Sequence, residues 1–144
     1  GAMTFYTARI GMGSGVALFF ANKNIRFDDN VKSTFNYTYD LSSNKWTHLC
    51  VTRNNTSKKL YVNGKLVDST SNVGNMQNIG KYFTIGGSES SDNGIADMNW
   101  LNGNISDFRI YSTVLSDEDV LDLYQSSASL DSQGNLMLTG EVIE

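Results

Sequence analysis

Asn63-Gly64 lies between two β-type runs, Leu60-Tyr61-Val62 and Lys65-Leu66-Val67, and no other dipeptide in the chain constrains folding as strongly. A two-residue hairpin loop of type I′ requires positive φ at both central positions, and Asn-Gly adopts that geometry with the least strain. The pair therefore sets the register of an antiparallel hairpin as well as its position. Upstream, Trp46-Thr47-His48-Leu49-Cys50-Val51-Thr52 reads as a further strand, with a short polar break before the hairpin. A chain with this centre is committed to antiparallel β-structure.

The flanking sequence repeats the pattern. Phe5 to Ile10, Val16 to Ala21, Ile25 to Phe27, Lys81 to Gly86 and Asn104 to Tyr111 are strand-like runs separated by clusters of Gly, Asn, Asp and Ser. Phe35, Tyr37 and Tyr39 alternate with polar residues and put three aromatics on one strand face. Proline is absent, so every turn must be built from Gly, Asn, Asp and Ser. One helix is predicted: Ser116 is a good N-cap, Asp117, Glu118 and Asp119 complement the helix dipole, and Val120, Leu123 and Tyr124 form an apolar stripe. It should end near Gln125, and Leu130 to Glu144 reads as a small hairpin around Gln133-Gly134-Asn135. The predicted fold class is all-β, a two-sheet antiparallel sandwich with one short helix.

Composition narrows the function. At 144 residues and 40% hydrophobic content the chain supports one domain with a real core. The longest apolar run, Val16 to Ala21, is strand-sized, which excludes a spanning helix. Net charge is −4 with no basic patch interleaved with aromatics, which argues against a nucleic-acid partner. The lone Cys50 cannot form an internal disulfide and suits a small buried hydrophobe. Gly1-Ala2-Met3 resembles the remnant of a cleaved expression tag. The domain is assigned to 4–125, with 126–144 as linker and hairpin or oligomerisation tail.

Four segments in order carry a family resemblance: the Trp46-His48 strand with Leu60-Tyr61-Val62-Asn63-Gly64-Lys65-Leu66-Val67; Tyr82-Phe83-Thr84-Ile85-Gly86-Gly87; Leu101 to Tyr111; and Leu115-Ser116-Asp117-Glu118-Asp119-Val120. Together they resemble the concanavalin A-like lectin/glucanase superfamily in its laminin-G-like jelly-roll form. The resemblance implies a jelly-roll binding module, a core role for Trp46 and a scaffold role for Asp107. It also implies opening strands, one bearing a Trp, that this chain lacks before Phe5. A sheet edge left open in this way must be covered. The candidates are the tail Leu136 to Ile143, the residues next to the tag remnant, or a strand shared in a homodimer or homotrimer.

Catalysis finds little support. The family's glucanase pattern, Glu-x-Asp-x-Glu, is absent, and the only carboxylate pair at i, i+2 is Asp117 and Asp119, inside the predicted helix. His48 shares a strand face with Cys50, but no nearby carboxylate orients the ring, so a packed histidine is expected. Sugar recognition needs an aromatic plate and polar hydrogen-bonding groups. Trp100, at the exit of the polar loop 87–99, supplies the plate, with Asn99, Asp92 and Asn93 beside it in sequence; the alternative is an indole tucked under the loop as an anchor. Tyr37 and Tyr39, with Asn36 and Arg26, form a second candidate surface, although a core or sheet-face stripe is the favoured reading of them. Calcium, Ca2+, is the one cofactor considered, with Glu89, Asp92 and Asp97 as ligands. The EF-hand pattern itself fails, because Trp100 stands where the bidentate Glu belongs.

The expected function is non-catalytic recognition of a cell-surface glycan or polysaccharide by a module of a larger extracellular or virion protein. The Asn/Ser-rich composition and closing hairpin resemble bacteriophage tail and receptor-binding proteins. The expected partners are that glycan and the other domains of the parent protein, with no membrane insertion. A structural or protein-interaction module is the alternative, and a polysaccharide-degrading enzyme a third reading disfavoured by the missing carboxylates.

Overall fold

The computed structural model describes residues 3–9, 15–29, 35, 37–40, 45–71, 73–76, 83–89, 96–98, 100–127, 129–130 and 136–137. The strands β1 (Met3–Arg9), β2 (Gly15–Ala21), β3 (Asn24–Asp28), β4 (Tyr37–Thr38) and β8 (Thr84–Ile85) form one antiparallel sheet in the order β4-β3-β2-β1-β8. A second sheet, β5-β6-β7, contains β5 (Leu49–Arg53), β6 (Ser57–Val62) and β7 (Lys65–Ser71). Two small ladders complete the β-structure: β9 (Ser88–Glu89) with β10 (Ala96–Met98), and β11 (Ser129–Leu130) with β12 (Leu136–Met137). The two-sheet sandwich with one helix is as expected.

The turns obey their sequences. Asn63 and Gly64 have φ of 50° and 75°, and Val62 pairs with Lys65 across them, as a type I′ loop requires. Asn22 and Lys23, at 52° and 65°, make the equivalent connection between β2 and β3. Asn can occupy the left-handed region because its side chain is short and polar.

The core lies between the sheets. Val16, Leu18, Ile25, Phe27 and Phe35 from the first sheet side pack on Leu60 and Val62 of β6. Alternation along β6 places Lys58, Leu60 and Val62 inward. Lys58 is fully buried there, 3.0 Å from Asp29 Oδ1, with the rings of Phe27 and Phe35 each 5.8 Å from its Nζ. Arg53 Nε donates to the other oxygen of Asp29 at 2.8 Å, while its Nη1 and Nη2 donate to the carbonyls of Asn54 and Gly74. This ionic cluster ties the end of β3 to the second sheet.

The opposite face of β6 lies under helix α1 (Asp117–Ser127), which runs two residues beyond the expected Gln125. Ser116 Oγ accepts from the Asp119 amide at 3.1 Å, while Asp119 accepts from the Ser116 amide at 2.8 Å. This is a capping box with Asp in the usual Glu place. Asp117 accepts from Lys59 Nζ and Tyr61 Oη, both at 2.7 Å, and these bonds hold its carboxyl below the usual range. Val120 is fully buried, and Gly64 lies against Tyr124 and Leu121.

Two expectations are corrected. Asn104 to Tyr111 joins no described ladder, and Ile105, Phe108, Ile110 and Tyr111 are exposed. Trp46 lies outside β5 and is 47% exposed, so it is no core residue. Among the described residues β5 pairs only with β6.

Candidate recognition surface

Trp100 is positioned by a short relay of backbone bonds. Phe5 sits at a register shift in β1 and gives its carbonyl to the Gly86 amide at 2.9 Å. The Gly86 carbonyl in turn accepts from the Leu101 amide, also at 2.9 Å. Gly86 has φ of 77° with open space around the missing Cβ, so its backbone conformation alone calls for glycine. The relay pins the loop exit beside β8, and the Trp100 side of it faces out: the residue is 61% exposed. Trp100 is therefore not buried beneath the loop exit. Ile85 and Phe83, on or next to β8, are also exposed, and Phe83 packs on Phe108 with ring centroids 5.5 Å apart. These apolar neighbours were not singled out from sequence, because Phe83 and Ile85 belong to an ordinary strand-like run, Lys81 to Gly86.

The remaining loop residues are placed in part. Asp92, Asn93 and Asn99 lie outside the described residues. Glu89 pairs with Ala96, and Asp97 sits at the register shift between Ala96 and Met98, so both lie on one small ladder. No group of three potential metal ligands occurs among the described residues.

The second surface divides. Tyr37 and Tyr39 stack with centroids 6.2 Å apart and pack against the core cluster. Tyr39 Oη lies 3.4 Å from Thr47 Oγ1. Tyr37 pairs with Ile25, whose side chain points into the core, so it belongs to the inner face of the sheet. Arg26 alternates to the outer face and lies over Phe19, 5.7 Å from the ring centroid. Arg26 and the tyrosine pair therefore do not form one site.

A groove of about 820 Å³ opens between β5, which pairs only with β6 among the described residues, and residues 101–111. Phe5, Val16, Leu18 and Phe27 line its floor, and His48, Asp107, Arg109 and Tyr124 are among its rim residues. His48 is half-buried with its ring 5.8 Å from Tyr124, and burial lowers its pKa against the opposing pull of Asp107. Its Nδ1 is buried without a hydrogen-bond partner among the described residues. Asp107, at φ of 54°, pairs with Arg109 at 2.6 Å. Cys50 is half-buried, and burial pushes its thiol up to about 11, far from a reactive thiolate. His48 and Cys50 thus line a groove wall and do not constitute a nucleophile and base.

The chain has relatives at the level of fold. A family model described as the concanavalin A-like lectin/glucanases superfamily matches residues 4–121. No curated protein matches the chain in sequence at a significant level. Among solved structures, it is similar to the binding domain of botulinum neurotoxin DC in complex with rat synaptotagmin II, at 23% identity and a TM-score of 0.62, covering 94% of this chain and 34% of that one. It is likewise similar to the botulinum neurotoxin serotype D binding domain, at 24% identity and a TM-score of 0.60, covering 94% of this chain and 36% of that one. An S-layer domain-containing protein from Clostridium thermocellum aligns at 22% identity and a TM-score of 0.48, over 86% of this chain and 63% of that one. The chain thus spans about a third of the toxin domains and under two thirds of the S-layer fragment. With the family model spanning the two main sheets and the start of the helix, the chain belongs to the concanavalin A-like lectin/glucanase superfamily.

Proposed function

We propose that this domain is a non-catalytic recognition module for a cell-surface glycan, carried by a larger extracellular or virion protein such as a phage tail fibre. The observation that carries the reading is the exposed indole of Trp100, held at a loop exit by the Phe5–Gly86–Leu101 relay. A rigidly placed aromatic plate beside a polar loop suits the apolar face of a pyranose, with the loop amides and carboxylates reaching its hydroxyls. That the only acidic pair at i, i+2 in the sequence, Asp117 and Asp119, lies in the helix weighs against hydrolysis. The neurotoxin domains of similar fold are binding domains, in keeping with a module of this kind. One such site binds weakly, and several copies on one assembly would supply useful avidity.

A protein-interaction module is the second reading, favoured by the exposed Phe83, Ile85 and Phe108 near the same loop. Binding to an array of bacterial glycans and to intact cells separates the two. Under the glycan reading wild type binds and Trp100→Ala loses most of the signal. Loss of binding in EDTA adds calcium at Glu89, Asp92 and Asp97. Retention of full binding by Trp100→Ala, or no binding to any glycan or cell, overturns the reading.

A further inference from the structure

Most lysine amines of a folded protein meet water, but that of Lys58 meets a carboxyl group inside the sandwich. Both side chains of the Lys58–Asp29 pair are fully buried, with Nζ 3.0 Å from Oδ1. The rings of Phe27 and Phe35 each stand 5.8 Å from the same nitrogen. Two ions in such surroundings keep little of their hydration, which is costly even when they are paired. Condensation to an amide removes both charges and leaves a neutral group that is far easier to bury.

The geometry favours that reaction. Folding has already brought amine and carboxyl into contact, and well-oriented pairs react with effective molarities of about 10⁵ M and above. Arg53 Nε donates to Asp29 Oδ2 at 2.8 Å, and its Nη1 and Nη2 are anchored on the carbonyls of Asn54 and Gly74. The guanidinium thus faces the oxygen on which negative charge gathers during attack by the amine. Oδ1, the oxygen beside Lys58, is the one that leaves.

We propose that Lys58 and Asp29 join after folding in an intramolecular isopeptide bond, a covalent tie between the two sheets. The ion pair is its precursor. The ammonium passes one proton to Oδ1, and the Nζ lone pair then bonds to Cγ while the carbonyl π pair moves onto Oδ2 beside Arg53. A second proton moves from Nζ to Oδ1. The Cγ–Oδ1 bond breaks with its electron pair, water departs, and the pair on Oδ2 restores the carbonyl. Nζ keeps one hydrogen as an amide, and neither oxidant nor reductant is needed.

The bond has a structural use. Cys50 is the one cysteine of the chain, so an internal disulfide cannot link the sheets. Asp29 follows β3 of the first sheet, and Lys58 lies on β6, the middle strand of the second. A link between residues 29 apart restricts the unfolded chain as a disulfide does.

The test is intact-mass spectrometry on the denatured full chain, freshly folded and after prolonged incubation near neutral pH, followed by tryptic mapping. The linked chain should weigh less than its sequence by one water. Trypsin should no longer cut after Lys58, and peptide 27–32, which carries Asp29, should emerge joined to peptide 54–59. Lys58→Arg keeps a cation beside Asp29 but cannot form the bond, and should show the full mass of its sequence. An undiminished wild-type mass after incubation overturns the proposal. So does a water loss that persists in Lys58→Arg, because it would then reside in a cyclic imide at an aspartate.

Discussion

The Asn63 side chain accepts from the His48 amide at 3.0 Å while the Asn63 amide donates to the His48 carbonyl at 2.9 Å. The residue that builds the hairpin turn thereby also fixes the point where the Trp46–His48 segment enters β5. Local turn chemistry and the groove rim are coupled through this one asparagine.

Gly64 serves the same turn and the helix above it. A Cβ there would lie 3.0 Å from Tyr124 Cδ1 and 3.1 Å from Leu121 Cδ1, at a φ of 75° that alanine tolerates poorly. Gly64→Ala should lower stability in urea denaturation by about 1–3 kcal/mol. Gly86→Ala, at nearly the same φ but in open space, should cost about 1 kcal/mol. Equal losses would mean that α1 does not press on the turn.

Asp29 serves two buried cations. Asp29→Asn should cost about 3–5 kcal/mol in the same assay, because it removes the carboxylate charge beside the buried Lys58 and Arg53. Adding Lys58→Met should recover part of that loss, since Arg53 keeps the Asn54 and Gly74 carbonyls. A single-variant cost under about 1 kcal/mol would mean that water reaches the pair.

His48 sets a pH dependence of definite sign. Its folded pKa lies below the ordinary value of 6.5, so the unfolded chain binds more protons in the window below 6.5. The contribution of neutral His48 is complete above that value and is lost as pH falls towards the folded pKa. His48→Gln should flatten this part of the stability–pH curve. An unchanged slope between pH about 6.5 and 5 would assign the acid sensitivity to other groups.

Local signals were the legible ones. Asn63-Gly64 fixed its hairpin to the residue, and Ser116 with Asp119 fixed the start of α1, because these depend on neighbours within four positions. Asn104 to Tyr111 has the composition of a strand but joins no described ladder, because pairing is decided by a partner distant in sequence. Trp46 is half-exposed for the same reason: burial of that face depends on what lies beside β5. At Trp100 sequence gave the residue and the loop, while its outward setting depends on a backbone relay through Phe5 and Gly86 that no local pattern encodes.

Consecutive lysines on β6 would ordinarily leave a strand free to slip, since either could answer one carboxylate. Here Lys58 meets Asp29 inside the sandwich and Lys59 meets Asp117 on the helix side. A slip by one residue would carry Lys59 inward to Asp29 but turn Leu60 and Val62 out and leave Asp117 facing apolar side chains. The two aspartates, one on each face, act as a two-sided key, and together they give a repetitive pair of residues a single reading.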